Sequence, residues 1–353
     1  MPDDIVLNVG GTEHGGWKSL AVTRSLEELA GSFDLTVSDR WPGSTAGKRI
    51  APGDACTVSL GGELLVSGYV DDVRPRIDAD SHEVAFKGRD RTADLVDCSP
   101  ALEPGEWRNL QLTQLVAAIA EPFGIAVTSQ VSVGEPFATF RLEQGETAFE
   151  AIDRAARQRK VLATSDGAGG LVLTRAGAGA RAAVALRVGD NVLSGEAVYS
   201  QRDRFSTYVI KGQQPGDDAW GETTAAHVRA EARDPGIRRH RPMTLIADQP
   251  GGEASQQARV EWEARTRAAR GRRVEISVQG WRQGEAGPLW RPNVLVDCHH
   301  PDLGVETDLL VSSVTFERGG NGTITRLSLL PADAFLPEPV ELTSKGGTDL
   351  WLS

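Results

Sequence analysis

Residues 64–99 set the strictest limit on the fold. In LLVSGYVDDVRPRIDADSHEVAFKGRDRTADLVDCS, Leu64, Val66, Gly68 and Val70 share one parity, and Val84 and Phe86 share another. Alternation at period two is what a strand with one buried face requires. Between the two runs lies RPRIDADSH, where Pro75, Asp78, Asp80 and Ser81 favour a reversal. Gly88 then breaks the sheet, Asp90 can cap, and residues 92–96 allow a short helix. No residue in the stretch has an evident chemical partner. It reads as scaffold.

Upstream, residues 1–14 carry one short apolar run from Ile5 to Val9 and suggest an edge strand or a loose arm. WKSLAVT alternates, SLEELAG reads as a helical turn ended by Gly31, and Phe33, Leu35 and Val37 alternate again. Trp41-Pro42-Gly43 opens a loop, and strands return from Ala55 to Leu60, with Gly61-Gly62 as a hairpin signal. Residues 1–99 therefore predict a small antiparallel barrel-like domain.

The period changes after about residue 100. Leu112, Leu115, Val116 and Ile119 follow the stripe of an amphipathic helix, which Glu121-Pro122-Phe123-Gly124 ends. Thr147 and Glu150 form a capping box for a second helix, with Phe149, Ile152 and Ala156 on its buried face. Strands follow at 161–165 and 171–175. Residues 100–190 predict an α/β domain in which the Ala/Gly-rich segment 175–183 reads as a flexible connection.

Residues 191–331 are again β-rich and predict a second barrel-like domain. Strand patterns surround Phe205 to Lys211, Val274 to Val278, Val294 to Val296 and Leu310 to Phe316. A charged helix runs from Ser255 to Gly271, residues 212–223 read as a loop, and Asn321-Gly322 signals a hairpin. PGDACTVSLGGELLVSGYVDDV (52–73) also echoes PNVLVDCHHPDLGVETDLLVSSVTF (292–316), as two related barrels would. Residues 332–353 read as an extended tail whose terminal Leu350-Trp351-Leu352 is a remnant or a hook onto a neighbour. The fold class is α+β and β-rich, with two similar antiparallel barrel-like domains and an α/β domain between them.

The chemistry is sparse, and the site-residue expectation is none: no catalytic, cofactor-binding or metal-binding residue. Asp71 and Asp72 are adjacent in a strand and point to opposite faces, so they are not a glycosidase pair. With Asp78 and Asp80 they read as turn solvation or as partners of Arg74 and Arg89. Cys298-His299-His300 lacks the second ligand pair of a structural zinc site. The G-x-G-x-x-A of Gly177, Gly179 and Ala182 precedes a strand pattern rather than the helix that a dinucleotide needs. The histidines at 14, 82, 227, 240, 299 and 300 are scattered, and no G-x-S-x-G elbow is present. The basic residues at 238–241 and Arg270, Arg272 and Arg273 read as balancing nearby acids.

Three widely spaced cysteines fit a reducing compartment, and no apolar run approaches a membrane span. The N-terminus lacks a signal-peptide pattern, so folding in a cytoplasm is expected. A formal charge of −11 argues against general nucleic-acid binding and suits a surface that DNA slides past.

GYVDDVRPRIDADSHEVAFKGRDRTADLVDCS resembles the signature region of Mu-like bacteriophage baseplate hub proteins, the tail protein P family. TRSLEELAGSFDLTVSDRW (23–41), PGDACTVSLGGELLVSG (52–68), EPFGIAV (121–127), LLVSSVTFERGG and LSLLPADAF follow the same order. The resemblance spans residues 15–336. It implies a non-enzymatic structural hub of a contractile tail, a homotrimeric ring in which two similar domains per chain alternate. Such a ring adapts the sixfold tail tube, or a tube initiator, to the trimeric central spike. The tape-measure protein is a further implied partner, and DNA passes through the lumen without membrane insertion. The implied location is the virion tail baseplate, with folding and assembly in the host cytoplasm. The alternatives are a cell-wall polymer hydrolase of the tail and a hub from a related contractile injection system.

Overall fold

The computed structural model describes residues 4–38, 50–79, 82–214, 226–246, 253–320 and 322–339. The first block contains β1 (Ile5–Val9), β2 (Thr12–His14), β3 (Ser19–Ser25), β4 (Ser32–Ser38), β5 (Ala55–Leu60), β6 (Glu63–Ile77) and β7 (His82–Asp90). Their order is β3-β4-β7-β6-β5-β1-β2, antiparallel throughout. Alternation holds in β7, where Val84, Phe86, Gly88 and Asp90 face inward.

Four local expectations change. β1 is an interior strand paired on both sides, because Ile5 and Leu7 are fully buried and need cover. SLEELAG is a bend, not a helical turn; the Leu26 N–H donates to the Ser312 carbonyl instead. β6 continues through Pro75, opposite Val84, so the reversal begins only after Ile77. Gly88 does not break β7: a Cβ there would lie 2.1 Å from the Tyr69 carbonyl, so glycine is what lets β6 approach. The loop expected at 41–47 lies outside the described residues.

After α1 (Ala93–Asp97) comes the middle unit: β8 (Glu106–Leu110), α2 (Leu112–Ala120), β9 (Val127–Ser129), β10 (Phe137–Arg141), α3 (Ala148–Gln158), β11 (Leu162–Ser165) and β12 (Leu171–Thr174). The Thr147 hydroxyl accepts from the Glu150 N–H at 3.2 Å, and the Glu150 carboxylate accepts from the Thr147 N–H at 2.7 Å. Leu115, Ile119, Ile152 and Ala156 share a core separate from that of the large sheet.

The last block holds β13 (Leu186–Arg187), β14 (Val192–Tyr199), β15 (Thr207–Gln214), β16 (Ala226–Arg233), β17 (Pro242–Ile246), α4 (Glu253–Arg270), β18 (Arg272–Gln279), β19 (Leu295–His300), β20 (Val305–Gly319) and β21 (Gly322–Leu330). β14, β18, β21, β20, β19 and β13 join the first block in one 13-stranded sheet. β15, β16 and β17 form their own sheet against α4, around Tyr208, Ile210 and Val260. The span 191–331 thus contains a second unit inserted between β14 and β18. The strand β15 reaches Gln214, so residues 212–214 of the expected loop are strand, and the rest of it lies outside the described residues.

The 175–183 segment is pinned rather than flexible. The Gly177 N–H donates to Asn293 Oδ1 at 2.8 Å and the Ala182 N–H to the Leu295 carbonyl at 2.8 Å.

Candidate assembly interface

The two blocks of the large sheet are built alike. β3-β4-β7-β6-β5 in the first runs parallel in plan to β14-β18-β21-β20-β19 in the second. Each begins its hairpin with a proline turn. Gly53, at φ 89°, donates its N–H to the Val70 carbonyl at 2.8 Å. Asn293, at φ 65°, donates to the Val311 carbonyl at 2.9 Å. The register of the hairpin then slips by one residue just past each valine, at Asp71 and at Ser312. These shared features set Val70 on Val311. The LLVSG/LLVSS echo sets Val66 there instead, so it marks the right strands in the wrong register.

A single strand joins the blocks. One edge of β20 pairs with β19 up to Leu310 and then, from Ser313 to Arg318, with β3. Thr23 and Thr315 share a hydroxyl hydrogen bond at 3.0 Å across this joint. Arg273 bridges to Glu27 at 2.5 Å and Arg318 to Asp4 at 2.7 Å. Val22, Leu20, Val314 and Phe316 lie in one shared core. Each fully buried aliphatic or aromatic side chain contributes roughly 1.5–3 kcal/mol, so the shared apolar face outweighs the surface ion pairs at roughly 0–1 kcal/mol each.

The middle unit is tied to both hairpins. Asp90, at the end of β7, accepts from the Gly31 and Thr92 N–H groups at 2.7 and 2.9 Å, and from Ser165 Oγ at 2.7 Å. On the other hairpin, Asn293 Nδ2 donates to the Arg175 carbonyl at 2.9 Å.

The strand carboxylates singled out by the sequence are held by arginines, whereas of Arg270, Arg272 and Arg273 only Arg273 pairs with acids, Glu27 and Glu275, among the described residues. Asp71 accepts from Arg89 at 2.8 Å and Asp72 pairs with Arg74 at 2.5 Å. Arg89 also holds Asp97, whose carboxyl it keeps below the usual carboxylate range. Asp80 lies outside the described residues. Cys298 and His300 face the core while His299 points outward to Asp297 at 3.1 Å, so β19 sets His299 on the opposite face from the other two. Among the described residues no group of three His, Cys, Asp or Glu is placed to share an ion. Residues 177–182 begin no helix. A cleft of about 530 Å³ between β11 and α4 is lined by Leu162, Trp262 and Phe335, and among the described residues Glu261 is its one carboxylate. Two acids are needed for glycoside hydrolysis.

Comparison with known proteins adds the decisive observation. The chain is 37% identical to the baseplate hub protein gp44 of Escherichia phage Mu, over 98% of this chain and 92% of that one. This chain belongs to the Mu baseplate hub family. Family models match along its length: the Mu phage baseplate assembly protein GpP-like N-terminal domain at 4–90, the second domain of gp44-like hubs at 92–175 and the fourth domain of GpP at 252–338. The 43 kDa tail protein of prophage MuSo2 from Shewanella oneidensis superposes with TM-score 0.85 at 36% identity, covering 95% of this chain and 100% of that one. A tail protein from Neisseria meningitidis shares the fold at TM-score 0.80 and 22% identity, covering 96% and 99%. An E. coli component of the type VI secretion system shares it at TM-score 0.57 and 10% identity, covering 95% and 79%. Hub-family membership makes the doubled sheet, not a cleft, the feature to interpret.

Proposed function

We propose that this protein is a structural baseplate hub of a contractile phage tail, acting as a homotrimeric ring rather than as an enzyme. The repeated hairpin carries the reading. Two near-equal blocks in one chain let three chains present six similar surfaces, which matches a sixfold tube on one side while staying threefold for a trimeric spike on the other. A closed cyclic ring of head-to-tail contacts uses every edge. The tail tube or its initiator, the central spike and the tape-measure protein are the proposed partners. DNA passes through the lumen of the ring, past chains that each carry a formal charge of −11. The protein belongs in the tail baseplate; among its described residues no helix is long and apolar enough to cross a membrane.

Light scattering tests the reading. One chain is 37.8 kDa, so a hub gives a species near 113 kDa, alone or once its spike protein is added. A monomer under both conditions, or turnover of peptidoglycan by the purified chain, overturns it.

A further inference from the structure

Resting on the ring reading, we propose that the contact between copies repeats the internal β20–β3 joint, with the β6 edge at residues 72–77 adding to residues 195–200 on β14 of a second copy. The two edges are the unfilled counterparts of the joint that the chain already contains. Past Val311, the edge of β20 is covered by β3. Past Val70, the same edge of β6 has no strand among the described residues; 72–77 pair with β7 alone. In the first block β3 is covered on both sides, whereas its counterpart β14 pairs with β18 and otherwise only through a single bridge from Val192 to Val188, which leaves 195–200 uncovered on that side among the described residues.

The register follows from the pairings. Phe33 lies opposite Val22 and Gly88, and Val274 lies opposite Ala197 and Leu329. Gly88 and Leu329 are the partners of Val70 and Val311, so Val22 corresponds to Ala197. Phe316 stands opposite Val22, and Pro75 holds the position of Phe316 on β6. Pro75 therefore meets Ala197, Arg76 meets Glu196, Arg74 meets Val198 and Ile77 meets Gly195.

Two observations independent of the topology agree with this register. Arg76 and Glu196 are both exposed, neither has an ion-pair partner among the described residues, and the register sets these opposite charges face to face. The same edges also expose apolar side chains: Ile77 is 70% exposed, Leu193 55%, Val198 48% and Tyr199 54%. Proteins normally blunt or cover an apolar edge strand, because its free N–H and C=O groups pair with other chains. Pro75 supplies no N–H, which makes β6 a poor template for indiscriminate strand addition and leaves selection to side chains such as Arg76. The partner is thus a second copy of this chain, joined head to tail.

The test is a disulfide placed across the joint. Directly opposed strand residues have Cα atoms about 4.5–5.5 Å apart, within reach of a disulfide. In a Cys98→Ser background, which removes the exposed native thiol, Arg76→Cys and Glu196→Cys are combined and the protein is oxidised. The expected result is a non-reducing ladder of covalent dimer and trimer, with neither single cysteine variant giving it. A species near 113 kDa that forms no bridge keeps the trimer and overturns the joint. A chain that stays at 37.8 kDa removes the trimer and the joint together. Charge reversal gives an independent readout. Arg76→Glu should weaken assembly about tenfold or more and adding Glu196→Arg should restore it; equal assembly by all three proteins overturns the joint.

Discussion

Gly53 and Asn293 occupy one position in two copies of the same turn, each in left-handed backbone and each donating its N–H to a valine carbonyl. Their side chains part company. Gly53 has open space around it, while the Asn293 amide reaches Gly177, Arg175 and Thr174 of the pinned connection. The repeat sets the backbone, and one copy has gained a tether.

Replacing Asn293 should separate these two roles. Asn293→Gly keeps the left-handed turn but strips the tether, leaving the Gly177 N–H without its acceptor; the cost should be about 1–3 kcal/mol. Asn293→Ala also strips the tether but keeps a Cβ at positive φ without the polar side chain that lets asparagine tolerate it, so it should be ~1 kcal/mol less stable than the Gly variant. Urea unfolding measures both, and trypsin should cut faster at Arg175 or Arg181. A Gly variant as stable and as resistant as the parent would sink the tether.

Asp90 is the corresponding anchor on the first hairpin, 1% exposed and surrounded by donors. Asp90→Asn turns one acceptor into a donor facing donors, and should cost about 2–4 kcal/mol. Ser165→Ala removes one bond at the rim and should cost only about 1 kcal/mol. Thermal unfolding ranks the two, and the reverse order would contradict the network.

Gly88 and Gly53 make a contrasting pair for substitution by alanine. At Gly88 the new Cβ meets the Tyr69 carbonyl, fixed in the strand, at 2.1 Å and the buried Phe33 ring at 2.5 Å. That overpacking should cost about 3 kcal/mol or more. At Gly53 only the positive φ resists, for about 1 kcal/mol. Circular dichroism of the two variants against denaturant decides whether β6–β7 contact, rather than turn strain, limits the first block.

Strand content was legible because a buried face imposes parity, as in β7 and β18, and the helices because Thr147-Glu150 and the Leu112 stripe are local signals. The misreadings have local causes too. Pro75 looks like a turn because proline seldom sits in a strand, yet an edge tolerates it. The run at Ile5 looks peripheral because nothing nearby shows that β5 covers it. The joint was beyond any local reading: Thr23 and Thr315 are 292 residues apart, and no pattern in either strand names the other. The LLVSG/LLVSS echo found the two hairpins but missed their register by four residues, since the shared turn and slip place Val70, not Val66, on Val311.

The buried thiols give the last prediction. Cys56 and Cys298 are 5% and 0% exposed, and burial pushes their thiols up to about 12 and about 11. Unfolded, both titrate near 8.5. A group whose folded pKa is raised contributes stability that is complete below the unfolded value and is lost as pH rises toward the folded one. Between pH ~8.5 and ~11 the unfolded chain therefore sheds two protons that the folded chain keeps, a loss approaching about 1.4 kcal/mol per pH unit for each thiol. The melting temperature should fall steeply over that range. Cys56→Ala or Cys298→Ala should flatten the slope by about half of the thiol contribution, whatever its effect at pH 7. At pH 8 a thiol reagent should label Cys98 alone in the folded protein and all three cysteines in denaturant. Fast labelling of all three without denaturant would mean that the sheet opens far more readily than its core packing allows.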